Sequence, residues 1–186
     1  MTSANSSTQP SPELHSSIAN AAIGLPKDRS GKYLTFHLAN EEFGIQVMKV
    51  REIMGLQEIT AVPHTPHYTK GVINLRGKVI PVVDLRLKFG MPSAEYTQRT
   101  CIIVTEVENR ADGDDGQILI GALVDAVSEV LNLSEADIED TPDFGGEVST
   151  TGLLGMAKSK GKVKILLDID AVMTAQELNA LGTLVN

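Results

Sequence analysis

Two histidines and a run of aspartates have the residue types and spacing of metal ligands. His64 and His67 are spaced as H-x-x-H, which zinc sites use, but neighbouring prolines place them in a turn and no third ligand is near in sequence. The segment Asp112–Gly116 resembles the start of a calcium-binding loop. However, its glycine comes one position early, and Leu123 occupies the position that needs a bidentate glutamate. We therefore expect a surface loop at the histidines, a hairpin tip at the aspartates, and no metal site.

The single cysteine, Cys101, is the candidate thiol nucleophile. It begins the apolar run Cys-Ile-Ile-Val, where a free thiol behaves as a small hydrophobic group, and no activating base is suggested beside it. The chain also lacks the nucleophile-elbow, phosphate-loop and dinucleotide-binding motifs. These observations predict a buried cysteine, no cofactor and no catalytic residue.

An arginine in a predicted hairpin turn is the polar residue that folding least requires. In Asn74-Leu75-Arg76-Gly77, Gly77 can supply the positive φ of a tight turn and Asn74 can hydrogen-bond the local backbone. Two-residue turns usually place Asn or Asp before Gly, so Arg76 is either a solvated surface charge or the partner of a carboxylate. Glu52 is the most obvious such carboxylate. An exposed pair would add only about 0 to 1 kcal/mol of stability, so it would matter more for recognition than for folding.

The composition excludes several classes of protein. The 186 residues carry a formal net charge of −8, and the few aromatic residues do not alternate with Lys or Arg, which argues against nucleic-acid binding. A lone cysteine excludes a disulfide scaffold and a multi-cysteine metal site. No apolar run approaches the roughly 18 residues of a membrane span, and the N-terminus is not typical of a signal peptide. We expect a cytoplasmic protein without direct membrane insertion.

Hydrophobic periodicity predicts about ten short strands and two helices. Apolar residues at i, i+3 and i+4 across residues 50–54 predict a short helix with Glu52 on its outer face. Thr174 and Glu177 have the form of a capping box and predict a final helix that ends at Gly182. The predicted strands cover residues 34–38, 43–47, 58–63, 72–75, 79–85, 101–107, 117–124, 126–131, 153–158 and 163–169.

The pattern of elements predicts a mainly antiparallel β fold, because no long crossover helix is present. Residues 1–31 are rich in serine and proline and predict a disordered tail. Ten strands are many for one small barrel, so residues 32–181 are expected to form two packed barrels, with residues 182–186 as the C-terminal end. Pro81 cannot donate a hydrogen bond to a ladder and predicts an edge or a bulge. No internal repeat is apparent.

The run Lys-Gly-Val-Ile-Asn-Leu-Arg-Gly at residues 70–77, with Ile-Pro-Val-Val-Asp-Leu at residues 80–85, closely resembles the CheW family of bacterial chemotaxis coupling proteins. The resemblance extends from Tyr33 to about Leu181. Shorter matching segments lie at residues 43–45, 50–53, 62–66, 101–104, 121–127 and 165–169.

The resemblance implies a fold and a function. The fold would be two five-stranded, SH3-like β-barrels with short helices, packed through a shared core, partly interleaved in sequence, and without an active site. The function would be that of a non-enzymatic adaptor that couples chemoreceptors, the methyl-accepting chemotaxis proteins, to the histidine kinase CheA at cytoplasmic receptor arrays. The implied partners are the regulatory domain of CheA and the cytoplasmic tip of the receptors, with no cofactor and no nucleic acid.

The resemblance also assigns candidate coupling residues. Val50 would line an apolar groove for a receptor helix, and Glu52 and Arg76 would supply charges on its rim. Two glycines would permit close backbone approach, as in helix-in-groove recognition, where apolar anchors give affinity and rim charges give register. The residues carried over are Val50, Glu52, Gly71, Arg76, Gly77 and Val127.

Three other classes of protein compete with this interpretation. A free-standing kinase regulatory domain, or the coupling half of a CheV-type protein, would normally continue into a kinase or receiver domain. A ligand-binding barrel or an enzyme would gather His, Asp and Glu in a pocket, whereas the charged residues here lie mostly at turns. A nucleic-acid-binding barrel conflicts with the negative charge. Two features depart from the family pattern, namely the long tail and the acidic hairpin tip at residues 108–116.

Overall fold

The computed structural model describes residues 28–109, 116–142 and 151–185. Eleven strands and three short α-helices follow each other in this part of the chain. The strands are β1 Gly31–Leu38, β2 Glu41–Gln46, β3 Val50–Gly55, β4 Thr69–Leu75, β5 Lys78–Asp84, β6 Cys101–Asn109, β7 Gly116–Val124, β8 Ala126–Leu133, β9 Ile138–Glu139, β10 Leu153–Ser159 and β11 Lys162–Leu167. The helices are α1 Leu85–Lys88, α2 Ile169–Val172 and α3 Ala175–Thr183, and single 3₁₀ turns cover Val47–Lys49 and Glu135–Asp137.

The strands form two sheets, each built mostly from antiparallel pairs. One has six strands in the order β8-β1-β2-β11-β10-β9, and the other has five in the order β3-β6-β7-β5-β4. Each sheet contains one parallel pair, β2 with β11 and β5 with β7. The middle of the chain therefore supplies one sheet, and the two ends of the described chain supply the other.

The predicted mainly β architecture is confirmed, but the sheets are not closed five-stranded barrels. Each sheet curves around a small apolar cluster of its own. Strands at both ends of the sheet contribute side chains to that cluster. In the six-stranded sheet, Leu133 of β8 and Ile138 of β9 share a cluster with Tyr33, although β8 and β9 are not paired. A third and larger cluster, with Phe36, Ile103 and other residues of both sheets, lies between them. The molecule is thus two open, curved sheets joined by one core.

Residues 50–55 form strand β3, so the predicted helix is wrong. The helix-like spacing arises from a β-bulge, because Val50 faces Thr105 while Glu52 already faces Val104. One extra residue in the strand shifts the alternation of faces. Val50 therefore packs on the core between the sheets, whereas Met54 packs inside the five-stranded sheet.

Several element boundaries also differ from the prediction. Residues 58–63 form no strand and contribute one isolated bridge, from Thr60 to Val72. Pro81 lies on β5, which is an interior strand, but the ladder to β7 begins only at Val82, so the missing N–H falls just outside that ladder. Of the predicted tail, residues 1–27 lie outside the described residues, as do residues 110–115 of the hairpin tip. Arg29, near the end of that tail, forms an ion pair with Glu135 at 2.5 Å.

Helix α3 has the predicted capping box and is fixed to the body by the same glutamate. The Thr174 side chain accepts from the backbone N–H of Glu177, and the Glu177 carboxylate accepts from the Thr174 N–H. That carboxylate also accepts hydrogen bonds from Tyr68 and Lys88. Burial alone would raise the pKa of Glu177, but these hydrogen bonds lower it to about 2. The helix runs one residue beyond the predicted end, to Thr183.

Candidate protein-interaction site

The β4–β5 hairpin turn holds Arg76 in a backbone conformation that side chains rarely adopt. Arg76 has φ 51° and Gly77 has φ 86°, so both central residues of this two-residue turn lie in the left-handed region, as a type I′ turn requires. The Asn74 Oδ1 accepts a 2.9 Å hydrogen bond from the Gly77 N–H. The predicted turn chemistry is therefore present, and it directs the Arg76 side chain outward from the hairpin end.

Arg76 and Glu52 form the ion pair that the sequence left as one of two alternatives. The two guanidinium NH₂ groups donate to the two carboxylate oxygens at 2.9 and 3.0 Å, the bidentate geometry that arginine makes with carboxylates. Glu52 lies on β3 and Arg76 follows β4, the two edge strands of the five-stranded sheet. The pair therefore spans the opening of the curved sheet. The Arg76 side chain remains 76% exposed, against 28% for Glu52.

An open groove of about 550 Å³ lies beside this ion pair. A second pair, Arg51 with Glu106, borders it, and the hydrogen bond from Arg51 lowers the pKa of the Glu106 carboxyl. The floor includes aliphatic side chains such as Leu75 and Leu119. The groove thus offers apolar contact surface rimmed by charges of both signs. Its lining is Arg51, Glu52, Leu75, Arg76, Lys78, Val104, Glu106, Gln117 and Leu119.

Of the two glycines assigned to close backbone approach, only Gly77 is open to a partner. A Cβ at Gly77 would meet nothing within 4 Å. Gly71 is buried, has φ 139°, and a Cβ there would lie 2.0 Å from the Thr60 carbonyl oxygen. Two 2.9 Å hydrogen bonds between Thr60 and Val72 hold that contact. Gly71 therefore permits a close backbone approach within the chain itself.

Val50 and Val127 do not line this groove. The bulge in β3 turns Val50 toward the core between the sheets, so Val50 is absent from the lining of this groove. Val127 lies on β8 of the other sheet, opposite Phe36, and packs on the same core. The structure thus brings together Glu52, Arg76 and Gly77 from the predicted set, whereas the two valines are half-buried against the core between the sheets.

The candidate metal-binding histidine lies in an exposed turn, and the candidate thiol is buried. His64 has φ 62° in an exposed turn, and within the described ranges no three His, Cys, Asp or Glu side chains are grouped as metal ligands. Cys101 is buried, as predicted, and burial raises the pKa of its thiol. The Asp112–Gly116 segment lies almost wholly outside the described residues.

The sequence reasoning missed an internal repeat. The β10–β11 turn has Lys160 at φ 53° and Gly161 at φ 74°, the same backbone as the β4–β5 turn. Lys160 Nζ lies 2.6 Å from Glu129 Oε2, a carboxylate on the outer strand β8. The sequence signal for this repeat is weak. Residues 76–84 begin with Arg-Gly-Lys-Val and end with Asp, and residues 160–168 begin with Lys-Gly-Lys-Val and end with Asp.

The described residues thus carry two curved sheets, a groove rimmed by paired charges and a buried cysteine. A family model for the CheW-like domain matches residues 32–177. The chain is 39% identical over 147 residues to a chemotaxis protein CheW of Rhizobium meliloti, covering 79% of this chain and 90% of that protein. It is 37% identical over 147 residues to chemotaxis protein CheW of Klebsiella aerogenes, covering 79% and 84%. A crystal structure of the scaffolding protein TtCheW from Thermoanaerobacter tengcongensis superimposes with a TM-score of 0.67 at 32% identity, covering 80% of this chain and 95% of that one.

The chain belongs to the CheW family. It is a non-enzymatic chemotaxis adaptor, which couples chemoreceptors to the histidine kinase CheA. Among the helices in the described part of the chain, none has the length and apolar character needed to span a membrane.

Proposed function

We propose that this protein binds the cytoplasmic tip of chemoreceptors through the groove beside Glu52 and Arg76, and binds the regulatory domain of CheA at the same time. Both contacts would be made in the cytoplasm at receptor arrays. Each curved sheet would serve as a small, open barrel of the SH3-like type, which presents its hairpin ends to partners.

The observation that carries this proposal is the Glu52–Arg76 pair at the opening of the five-stranded sheet. An exposed pair stabilises a fold by only about 0 to 1 kcal/mol, and Arg76 occupies a left-handed position that Asn or Gly would fill with less strain. An exposed residue that opposes the local backbone preference is better explained by recognition than by folding. The aliphatic floor of the adjoining groove suits the apolar face of a helix.

The local charge supports the same proposal. The segment from Lys70 to Lys88 carries five Lys or Arg residues and one Asp, on a chain whose net charge is −8. A locally basic edge on an acidic protein attracts acidic partner surfaces and repels unrelated ones. We expect this charge to raise the association rate more than it raises the affinity.

The test is a binding assay with the full-length protein, a receptor-tip fragment and the CheA regulatory domain. We expect Arg76→Glu to weaken receptor-tip binding by about tenfold or more, because it places two carboxylates side by side on the rim. Kinase activation in a reconstituted assay should fall with it. The double variant Glu52→Arg with Arg76→Glu, which restores opposite charges, serves as the control for folding. Unchanged receptor binding in Arg76→Glu would show that the groove is not the receptor site.

A further inference from the structure

A small pocket lies between helix α3 and the residues at the start of strand β4. Its volume is about 170 Å³, and it shares no lining residue with the groove beside Glu52 and Arg76. An apolar cavity of about 150 Å³ is large enough to bind benzene, so this pocket, here called the α3 pocket, can hold a molecule of that size. Its walls include Tyr68, Thr69, Met173, Gln176, Glu177 and Ala180.

The Thr69 hydroxyl in the wall of the α3 pocket is buried without a hydrogen-bond partner. Thr69 is only 7% exposed, and among the described residues its Oγ1 is the one buried side-chain oxygen or nitrogen that lacks a partner. The backbone there is fixed, because the Thr69 N–H donates to the Pro66 carbonyl at 2.8 Å. A buried hydroxyl without a partner is destabilising and calls for an explanation. Since threonine has three staggered rotamers, rotation about χ1 can direct Oγ1 at a molecule in the pocket.

The charged groups at the α3 pocket already satisfy one another. The Glu177 carboxylate accepts hydrogen bonds from the Tyr68 hydroxyl, the Lys88 ammonium group and the Thr174 N–H. Lys88 Nζ also lies 4.5 Å from the centroid of the Tyr68 ring, so the same network holds that ring in place. Because the charge of Glu177 is balanced by Lys88, a neutral molecule fits the pocket better than an ion does.

The apolar part of the wall favours an aromatic ring. Tyr68 can form a stacked or edge-to-face pair with a second ring. Met173 is buried and supplies a polarisable thioether, which makes favourable contacts with aromatic rings and adapts to their shape. The pocket therefore combines two partners for a ring with one hydroxyl that needs a hydrogen bond.

The surroundings of the α3 pocket favour a free small molecule over the side chain of a protein partner. In the described ranges, six large hydrophobic side chains are exposed, and none of them lines this pocket. A protein partner buries a broad patch of surface, and exposed apolar side chains around the pocket would mark such a patch. A small molecule needs only the pocket itself.

We propose that the α3 pocket binds a neutral, benzene-sized aromatic alcohol, such as a phenol, whose hydroxyl pairs with Thr69 Oγ1 while its ring packs on Tyr68 and Met173. Helix α3 follows the last strand of the six-stranded sheet, and Tyr68 directly precedes β4 of the five-stranded sheet. The bound molecule therefore contacts both parts of the protein. Because it binds only the folded chain, it raises the midpoint of thermal unfolding.

The experiment titrates the full-length protein with para-cresol and with toluene, which has the same ring and methyl group without the hydroxyl. An NMR titration that follows the backbone amide signals of Thr69 and Glu177 gives the affinity and locates the site. Thr69→Val removes the hydroxyl at nearly constant volume, and Ala180→Leu places a larger side chain at the pocket. Ala175→Leu is the matched control, because Ala175 is an exposed alanine of the same helix that does not line the pocket. Thermal unfolding checks that each variant is folded.

We expect para-cresol to bind the parent protein about threefold to tenfold more tightly than toluene, as one hydrogen bond provides. Thr69→Val should abolish this difference and leave toluene binding unchanged. Ala180→Leu should weaken the binding of both probes by about tenfold or more, because its side chain fills the pocket, whereas Ala175→Leu should alter neither.

Several results would overturn the inference. They are the absence of binding by either probe, equal binding of the two probes, a preference for para-cresol that survives Thr69→Val, and unchanged binding in Ala180→Leu. Tighter binding of N-acetyltyrosinamide than of para-cresol would also overturn it, since the pocket would then receive a tyrosine side chain from a protein. None of these results depends on receptor or CheA binding, so the proposed function is tested separately.

Discussion

Replacing Arg76 by asparagine separates the folding role of this residue from its binding role. The backbone at Arg76 has φ 51°. A residue with an ordinary Cβ in this left-handed conformation lowers the stability of the fold by about 1 to 2 kcal/mol, and asparagine lowers it by less. The substitution also removes the bidentate pair with Glu52, which contributes about 0 to 1 kcal/mol because Arg76 is mostly exposed. These two effects oppose each other, so the free energy of unfolding should change by no more than about 1 kcal/mol, with an increase favoured.

Binding should respond in the opposite direction. Without the guanidinium, the receptor-tip fragment loses a rim cation and Glu52 loses its partner, and we expect about tenfold weaker binding, near 1.4 kcal/mol. Urea denaturation gives the stability and titration calorimetry gives the affinity. Lys160→Asn is the matched control, because it makes the same change at φ 53° in the other sheet and should leave receptor binding unaltered.

Two results would refute this reasoning. A loss of more than about 2 kcal/mol of stability in Arg76→Asn would mean that the ion pair is a major structural contact across the sheet opening, contrary to its exposure. Unaltered receptor binding, in a variant of normal stability, would mean that Arg76 is a solvated surface charge and that its unusual turn position has no role in recognition.

Three further substitutions test the structural roles of other residues. Gly71→Ala should destabilise the protein by about 3 kcal/mol or more, since its Cβ would lie 2.0 Å from a backbone oxygen. Gly77→Ala, with nothing within 4 Å, should lose about 1 kcal/mol, and urea denaturation compares the two; similar losses would contradict the close approach. Because the pKa of Glu177 is lowered to about 2 from 4.5, its stabilisation is complete above pH 4.5 and declines as the pH falls toward 2. Unfolding curves of the parent and Glu177→Gln should therefore converge in acid, and a constant difference across this pH range would contradict the assignment.

The elements that the sequence predicted well are those determined by local chemistry. The capping box at Thr174 and Glu177, the two-residue turn at Arg76 and Gly77, and the buried strand that begins at Cys101 each depend on residues close together in the chain. Propensity, turn geometry and side-chain hydrogen bonds act at that range, so pattern reasoning detects them.

The failures come from contacts between distant segments. A bulge in β3 produced helical spacing across residues 50–54, and only the register against β6 reveals it. The neighbour of Gly71 could not be predicted, because its crowding comes from Thr60 through a single bridge. Strand β9 of the six-stranded sheet was not predicted, because its two residues are too few to give a periodic signal. The repeat escaped notice because tertiary position rather than sequence identity carries it.

The two turns together strengthen the argument from Arg76. One long cation in a left-handed turn position could be an accident of a tolerant surface. Two such cations, Arg76 and Lys160, in equivalent turns and each paired with a glutamate on an outer strand, require a common cause. Folding does not supply it, since Asn-Gly would make both turns with less strain. The difference between them is informative too, because arginine forms a planar, bidentate pair with directional specificity, whereas lysine is a mobile point charge. We therefore expect the groove beside Arg76 and Glu52 to discriminate among partners by geometry.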